Sequence, residues 1–277
     1  MKELPERARR ELIHFYQTAS EYGARVDSHD ESAYQEYISF VRRFAGKQDR
    51  VLDIGCGTGL AAFMLSKEAG SVTSVDISPI FIKIAKEKRQ APNLEFKCAD
   101  ILSLPFPDGS FDIVSSFLML EHIYDVPRAL SEMVRVAKPG GLVIVLSPNL
   151  LSPFNEIYNL IDAFSLKENR RRWQKRHNPL KSAYLAIYNT VLLLSKKLSR
   201  EVNFIYRLPI LEDRFDMIPD NDAVYLSNPI DLKRWFTKKG LNLVKYQHET
   251  RWGSIFPSFA TGIHIVVRKG IDESYEK

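Results

Sequence analysis

The sequence predicts an α/β fold in which a mostly parallel β-sheet is covered on both faces by helices. Between residues 47 and 148, short apolar segments typical of buried strands alternate with amphipathic segments typical of helices. One of these strands, "LVIVLS" at 142–147, is apolar throughout, as expected where both faces of a parallel sheet are buried. The glycine-rich stretch "VLDIGCGTGL" at 51–60 joins the first strand of the series to its first helix.

The elements of this series follow one another in regular order. Ser78-Pro79 opens the second helix, with proline at the first helical position, where its missing N–H is not needed. The predicted strands are 50–55, 71–76, 93–100, 111–118 and 142–147, and the predicted helices between them are 59–70, 80–90 and 126–138.

Both ends of the chain depart from this alternation. Residues 5–46 are predicted to form two helices, separated between Gly23 and "DSHDES" (27–32), with Asp30 or Ser32 as the N-cap of the second.

We therefore divide the chain into a helical cap, a sheet domain in two pieces, and an insertion that is helical, aromatic and basic. The boundaries are 1–46 for the N-terminal cap, 47–148 and 226–270 for the sheet domain, and 149–225 for the insertion.

The second piece of the sheet domain predicts one helix and two strands. The helix is "NPIDLKRWFTKKG" (228–240), and the strands are 241–249 and 262–269. No helix fits between these two strands, so we expect an antiparallel pair at the end of the sheet.

The composition is that of an ordinary soluble globular protein. Of 277 residues, 45% are hydrophobic and 26% charged, and the net charge is +5. Cys56 and Cys98 have neither metal-ligand spacing nor the pattern of a disulfide framework. The charged start "MKELPERARREL" lacks the apolar core of a secretory signal, and no apolar run approaches the roughly 18 residues of a spanning helix. We therefore expect a cytoplasmic protein.

The glycine turn excludes one ligand class directly. A triphosphate-binding loop needs Lys and then Ser or Thr after its glycines, whereas Gly59 is followed by Leu60. Gly55, Gly57 and Gly59 stand at alternate positions, which differs from the GxGxxG spacing of dinucleotide sites. Such spacing indicates close approach of the backbone to a ligand, or a turn needed only for packing of strand against helix.

Acidic residues at the ends of the next two strands point to a nucleoside. Asp76 ends the second strand, where a carboxylate can accept hydrogen bonds from both ribose hydroxyls. Asp100 ends the third and can accept from an exocyclic adenine amine, while Ile77 and Ile101 can enclose the ring.

The order of these motifs resembles that of class I S-adenosylmethionine-dependent methyltransferases of the small-molecule type. The resemblance covers about residues 35–148 and 226–268. It is carried by "VLDIGCGTG", "VDIS", "CADILSLPFPDGSFDIVSS", "LEHI" and "VAKPGG". It implies a Rossmann-like, seven-stranded, mostly parallel sheet with an antiparallel last strand, S-adenosylmethionine (SAM) as cofactor, and S-adenosylhomocysteine (SAH) as product.

The same resemblance implies roles for individual residues. Asp53 and the turn Gly55–Gly59 would face the methionine end of SAM, and Ser116 and Phe117 would border the sulfonium. Asp76 would hold the ribose, and Asp100 with Ile101 the adenine. Tyr16 and Tyr22 are candidates for covering the cofactor, and ordinary core packing explains them equally well.

The candidate general base is His122 in "LEHI", just past the fourth strand. A base is needed only where the acceptor, the molecule that receives the methyl group, is a hydroxyl or a protonated amine. The Glu-His pair also has a purely structural interpretation.

No His/Asp cluster calls for a metal. The segment "SSFLML" (115–120) lacks the Asn/Asp-Pro-Pro-aromatic loop of base-amine methylation, the cysteine of pyrimidine-carbon methylation and the acid of aminopropyl transfer.

Net positive charge is concentrated in the middle of the insertion. Residues 165–207 contain 11 Lys or Arg and 2 Glu, a local balance of 11 − 2 = +9. "KENRRRWQKRH" (167–177) is typical of nucleic-acid binding, whereas the apolar run in "SAYLAIYNTVLLLSKKLSR" (182–200) favours an anionic membrane or an amphiphilic, lipid- or glycan-linked acceptor. We favour the amphiphilic or small-molecule acceptor with peripheral membrane contact. An RNA-modifying enzyme and a catalytically silent SAM-binding protein remain the alternatives.

Overall fold

The centre of the molecule is a seven-stranded sheet with the strand order β3-β2-β1-β4-β5-β7-β6. The computed structural model describes residues 3–29, 31–157, 179–213, 222–246 and 261–271. Its strands are β1 Arg50–Ile54, β2 Ser71–Asp76, β3 Leu94–Cys98, β4 Phe111–Phe117, β5 Ala137–Pro148, β6 Asn242–Tyr246 and β7 Gly262–Arg268. Strands β1 to β5 pair in parallel, and β7 is antiparallel to both of its neighbours. The predicted fold class, including the antiparallel pair, is confirmed.

Helices cover both faces of this sheet. Among the described residues they are α1 Glu6–Thr18, α2 Ser20–Asp27, α3 Gln35–Val41, α4 Leu60–Ser66, α5 Pro79–Lys88, α6 Val126–Val136, α7 Pro179–Leu198 and α8 Pro229–Lys238. Successive strand residues point to opposite faces, so Leu52 packs with α6 and α8 while Val51 packs with α3, α4 and α5. Two apolar layers therefore hold the sheet between them.

Helix α6 ends two residues before its predicted end. Its last residue is Val136, and β5 begins at Ala137 instead of Leu142. Lys138 precedes Pro139, and the residue before a proline disfavours helical backbone. Ala137 pairs with Phe111 instead, next to an irregularity in the β4–β5 ladder.

The N-terminal helices break within the predicted "DSHDES" segment, where α2 ends at Asp27, and also at one place that was not predicted. Helix α2 runs through Gly23, and the unpredicted break lies at Ala19, whose backbone is extended. A β-carbon at Gly23 would lie 3.0 Å from the Phe81 ring, so this glycine serves helix packing. Ser32 lies in a 3-10 turn, and α3 begins after Tyr34 without a side-chain cap. Asp30, the other candidate cap, lies outside the described residues.

The described part of the insertion is attached to the sheet domain by a buried ion pair. Lys196 of α7 lies with its Nζ 2.5 Å from Asp231 Oδ2 of α8, and both side chains are buried. Leu193 packs beside them against Leu151 and Ile230. The basic segment 167–177 lies outside the described residues.

Candidate active site

A cavity of about 530 Å³ opens where β1, β2 and β4 end. Helices α1 and α2 form one side of it, and Asp222, from the end of the insertion, contributes to the wall. The sequence-predicted site residues that line it are Asp53, Gly55, Gly57, Asp76, Ile77, Asp100, Ile101, Phe117 and His122. Tyr16 and Tyr22 line it as well. Ligand sites in open α/β sheets lie at this edge, beyond the carboxyl ends of the strands.

Gly55 can only be glycine because a neighbouring side chain occupies the space of a β-carbon. Its φ is +76°, and a β-carbon there would lie 2.2 Å from Met119 Cγ. Gly59 also has a positive φ, but its β-carbon would meet the Phe96 ring at 2.7 Å, and Gly59 does not line the cavity. Of these two glycines, Gly55 borders the site, whereas Gly59 allows α4 to pack.

Asp76 is held between two loops by backbone hydrogen bonds. Its Oδ2 accepts from the N–H of Gly57 and its Oδ1 from the N–H of Ser78, both at 2.9 Å. Each carboxylate oxygen has a second lone pair and so retains acceptor capacity. Burial raises the pKa of Asp76, and the backbone hydrogen bonds act in the opposite direction.

Asp53 lies deeper, beneath an aromatic pair. The Tyr37 hydroxyl donates to Asp53 Oδ1 at 2.7 Å and lies 2.7 Å from the Ser115 hydroxyl. The Tyr37 ring stacks on Phe117 with centroids 4.9 Å apart. Burial raises the pKa of the Asp53 carboxyl to about 6. Tyr37 was not predicted, because in the sequence it is one apolar position of an amphipathic helix.

Of the remaining predicted cofactor residues, Asp100 and Ile101 line the cavity and Ser116 does not. Asp100 accepts from the Leu102 N–H at 2.8 Å and caps a 3-10 turn, while Ile101 is buried beside it in the cavity wall. Ser116 is fully buried in β4 and does not line the cavity. The backbone of Leu118, two residues later, has a φ of +49°. A non-glycine residue in this conformation is strained, and such positions cluster at functional sites.

His122 belongs to a buried cluster of polar side chains. Its Nδ1 lies 3.3 Å from Asp222 Oδ2, and its Nε2 lies 3.8 Å from Glu121 Oε1. The Tyr16 hydroxyl donates to the same Asp222 oxygen at 2.7 Å. Glu121 is fully buried, and its Oε2 accepts from Ser147 at 2.9 Å.

Glu121 also anchors the insertion through its backbone. Its carbonyl oxygen accepts from the N–H groups of Val224 and Tyr225, both at 2.9 Å. Both acidic and basic residues of the "LEHI" motif line the cavity, and Glu121 in addition holds the insertion in place through its carbonyl oxygen. Asp222 was not predicted, because it lies 100 positions from His122 and no local pattern distinguishes it.

Comparison with known proteins identifies the domain around this cavity. Residues 52–145 match a family model described as a methyltransferase domain. Residues 52–145, about a third of the chain, are therefore similar to methyltransferase domains. The resemblance predicted from the motifs is thus confirmed, and SAM is the cofactor of this domain family.

Two relatives match the methyltransferase domain in sequence. A demethylmenaquinone methyltransferase of Thermus thermophilus is 43% identical over 101 residues, which are 35% of this chain and 46% of the relative. An ajmaline N-methyltransferase of Rauvolfia serpentina is 39% identical over 106 residues, which are 36% of each chain. The chain therefore spans less than half the length of these two relatives.

A solved structure extends the likeness to almost the whole chain. Magnesium protoporphyrin IX methyltransferase from Synechocystis PCC 6803, with bound SAH, has a TM-score of 0.57 and 13% sequence identity. The superposition covers 95% of this chain and 100% of that chain. At this identity the likeness concerns the fold alone.

The residues of the methyltransferase domain fit the cofactor. Asp76 offers two neighbouring acceptor oxygens, as vicinal hydroxyls require, and Ile77 and Ile101 supply apolar surface in the same wall. The Asp53 carboxylate in the cavity wall suits a positively charged group. The Gly55–Gly57 backbone carries no side chain that would keep a ligand away.

We predict that Asp76→Ala weakens SAM binding by about 1.5–3 kcal/mol, the range for hydrogen bonds to a charged group. Calorimetric titration with SAM measures this change. Asp112→Ala is the matched control, because Asp112 also accepts a backbone N–H, from Arg50, at the start of β4. Equal affinity of wild type and Asp76→Ala would refute the ribose assignment.

We predict that Asp53→Asn changes the pH dependence of stability. Because the folded-state pKa of Asp53 is about 6 against an ordinary 3.8, its protonated form favours folding. This contribution is present below about pH 4 and is lost as the pH rises through 6. Relative to the variant, wild type should lose about 3 kcal/mol of unfolding free energy between pH 4 and pH 7. Urea denaturation at several pH values tests this, and parallel curves for the two proteins would contradict it.

Proposed function

We propose that the protein transfers a methyl group from SAM to a small or amphiphilic acceptor. The observation that supports this proposal is the composition of one cavity. Asp53, Gly55 and Asp76 suit the cofactor, and His122, 3.3 Å from Asp222, lines the same cavity and suits a proton-bearing acceptor. A protein that only bound SAM would not require the second group.

When bound, SAM supplies a methyl carbon whose bond to sulfur breaks as its bond to the acceptor forms, leaving neutral SAH. The chain must then exclude water and align the acceptor, and such placement contributes roughly 7–11 kcal/mol in well-oriented reactions. We assign His122 the removal of the acceptor's proton. Its Nδ1 lies 3.3 Å from Asp222 Oδ2, so in this assignment Nδ1 carries the proton and Nε2 is the basic atom.

Asp222 is a positioning residue in this proposal. It contacts His122 from the insertion and Tyr16 from α1, so it fixes the imidazole relative to both elements. The insertion reaches the N-terminal helices at a second point, where Asp213 accepts from the N–H groups of Ser20 at 3.1 Å and Tyr22 at 2.9 Å. These contacts support our assignment of 149–225 as the acceptor lid and of 1–46 as the N-terminal cap.

We infer the class of acceptor from the residues that line the cavity and from the acceptors named for the similar proteins. Leu12, Ile13 and Leu118 give the cavity wall apolar surface outside the cofactor residues. The acceptors named for the relatives and the neighbour, demethylmenaquinone, ajmaline and magnesium protoporphyrin IX, are organic small molecules. We therefore place an apolar or amphiphilic small molecule in this cavity.

The experiment that tests this function uses labelled SAM and a cell extract separated into lipid, glycan, small-molecule and RNA fractions. We expect enzyme-dependent label in the lipid or small-molecule fraction, detected by mass spectrometry. Label in RNA alone would support the alternative suggested by the basic segment 167–177. SAM binding without label in any fraction would indicate a silent binding protein.

We predict that His122→Ala lowers turnover by roughly 10²–10⁴-fold on an oxygen acceptor with little change in SAM affinity. His14→Ala, on the exposed face of α1, is the control. Asp222→Asn should also lower turnover, but should have no further effect in the His122→Ala background, because it acts through the imidazole. Normal turnover of His122→Ala would leave His122 a structural role.

A further inference from the structure

Helix α7 has its polar and apolar faces reversed relative to an ordinary surface helix. Three of the four residues it buries are polar: Ser182, Asn189 and Lys196. Large apolar side chains point outward instead, with Leu180 81% exposed and Ile187 68% exposed. A surface helix normally places its apolar stripe toward the core.

The exposed apolar residues form one continuous stripe. Leu180, Tyr184, Ile187, Val191, Leu194 and Leu198 follow one another at alternating intervals of four and three positions. Tyr188 extends the stripe, with its ring 6.1 Å from that of Tyr184. At about 1.5 Å per residue the helix is about 30 Å long, so the stripe runs along a whole side of the insertion. Contiguous exposed apolar surface of this kind marks an interaction site.

The stripe faces away from the sheet because the opposite face of α7 is fixed. Lys196 pairs with Asp231 and donates to the Asn203 carbonyl at 2.6 Å, and Arg234 donates to the carbonyls of Lys196 and Lys197. Turning the helix to bury the stripe would leave Asp231 as an unpaired buried charge, which is strongly destabilising. The orientation is therefore set by the fold.

The charges of α7 distinguish between possible partners. The segment 179–200 contains no Asp or Glu, and of its four basic residues Lys196 is buried in the ion pair with Asp231, which leaves Lys181, Lys197 and Arg200 on the exposed surface. Antiparallel pairing of the stripe with a second copy would bring Lys181 of one chain near Lys197 of the other, and neither copy of α7 contributes an acid. An anionic surface complements both the lysines and the apolar stripe, as at the membrane interface, where tyrosine is also enriched.

We propose that α7 docks the protein on an anionic membrane, lying parallel to the surface with the stripe from Leu180 to Leu198 in the headgroup region. Within the described residues no helix is long and apolar enough to cross a membrane, so this contact is interfacial. The surface lies outside the cavity, and the proposal does not depend on the reaction assigned there.

The test is sedimentation of the full chain with vesicles of phosphatidylcholine alone or mixed equally with phosphatidylglycerol. We expect tighter binding to the anionic vesicles, weakening as salt is raised. Ile187→Asp should lower the vesicle affinity by about tenfold or more. The substitution replaces a hydrocarbon side chain that would enter the headgroup region with a carboxylate of the same charge as the anionic lipid. The matched control is Ile271→Asp, since Ile271 is 76% exposed outside α7.

Circular dichroism and SAM titration establish that both variants remain folded and competent. Equal binding to neutral and anionic vesicles, no vesicle binding, or equal loss in both variants would overturn the proposal. So would light scattering that shows a dimer dissociated by Ile187→Asp, or tight RNA binding in place of vesicle binding. Methyl transfer that persists without vesicle binding would reject the membrane surface while leaving the proposed function intact.

Discussion

The close approach of Gly55 to Met119 is the constraint on which the cavity depends. It brings the turn after β1 against the turn after β4, with no room for a β-carbon between them. The first turn leads to Gly57 and through it to Asp76; the second leads to Glu121 and His122. The close contact between the Gly55 backbone and the Met119 side chain therefore holds the turn with the residues suited to the cofactor against the turn with the residue suited to the acceptor. The strained backbone of Leu118 lies within the same junction.

Carboxylates at this edge of the sheet are in an unfavourable environment without a ligand. Asp53 and Asp76 are both buried enough that their pKa values rise, and they repel each other. The Tyr37 hydroxyl and the backbone N–H groups of Gly57 and Ser78 offset only part of that cost. Such an arrangement costs stability in the free protein and favours a cationic ligand, as is common at functional sites.

The features that could be predicted from the sequence are those determined by local patterns of residues. Strand burial, the glycine turn and the acids at strand ends each depend on a few neighbouring residues, so the sheet was predicted correctly, and most of the predicted site residues line the cavity. Gly55 and Gly59 carry the same signal, however, and only tertiary packing distinguishes approach to the cavity from packing against Phe96. No local sequence pattern marks Tyr37 or Asp222 as site residues. Tyr37 contacts Ser115 and Phe117, and Asp222 contacts Tyr16 and His122, all of them distant in the sequence. The break at Ala19 was missed for the same reason, since Asp213 supplies the cap of α2.

The contact between Tyr16 and Asp222 joins residues 206 positions apart in the chain. Two further hydrogen bonds, from Ser20 and Tyr22 to Asp213, span 193 and 191 positions. During synthesis the first helices leave the ribosome long before these partners exist, so they cannot dock until most of the chain has been made. Contacts of such sequence separation form slowly, since closing a long loop precedes any gain from the contact. Completing the wall of the cavity formed by α1 and α2 therefore requires closure of a loop that spans most of the chain.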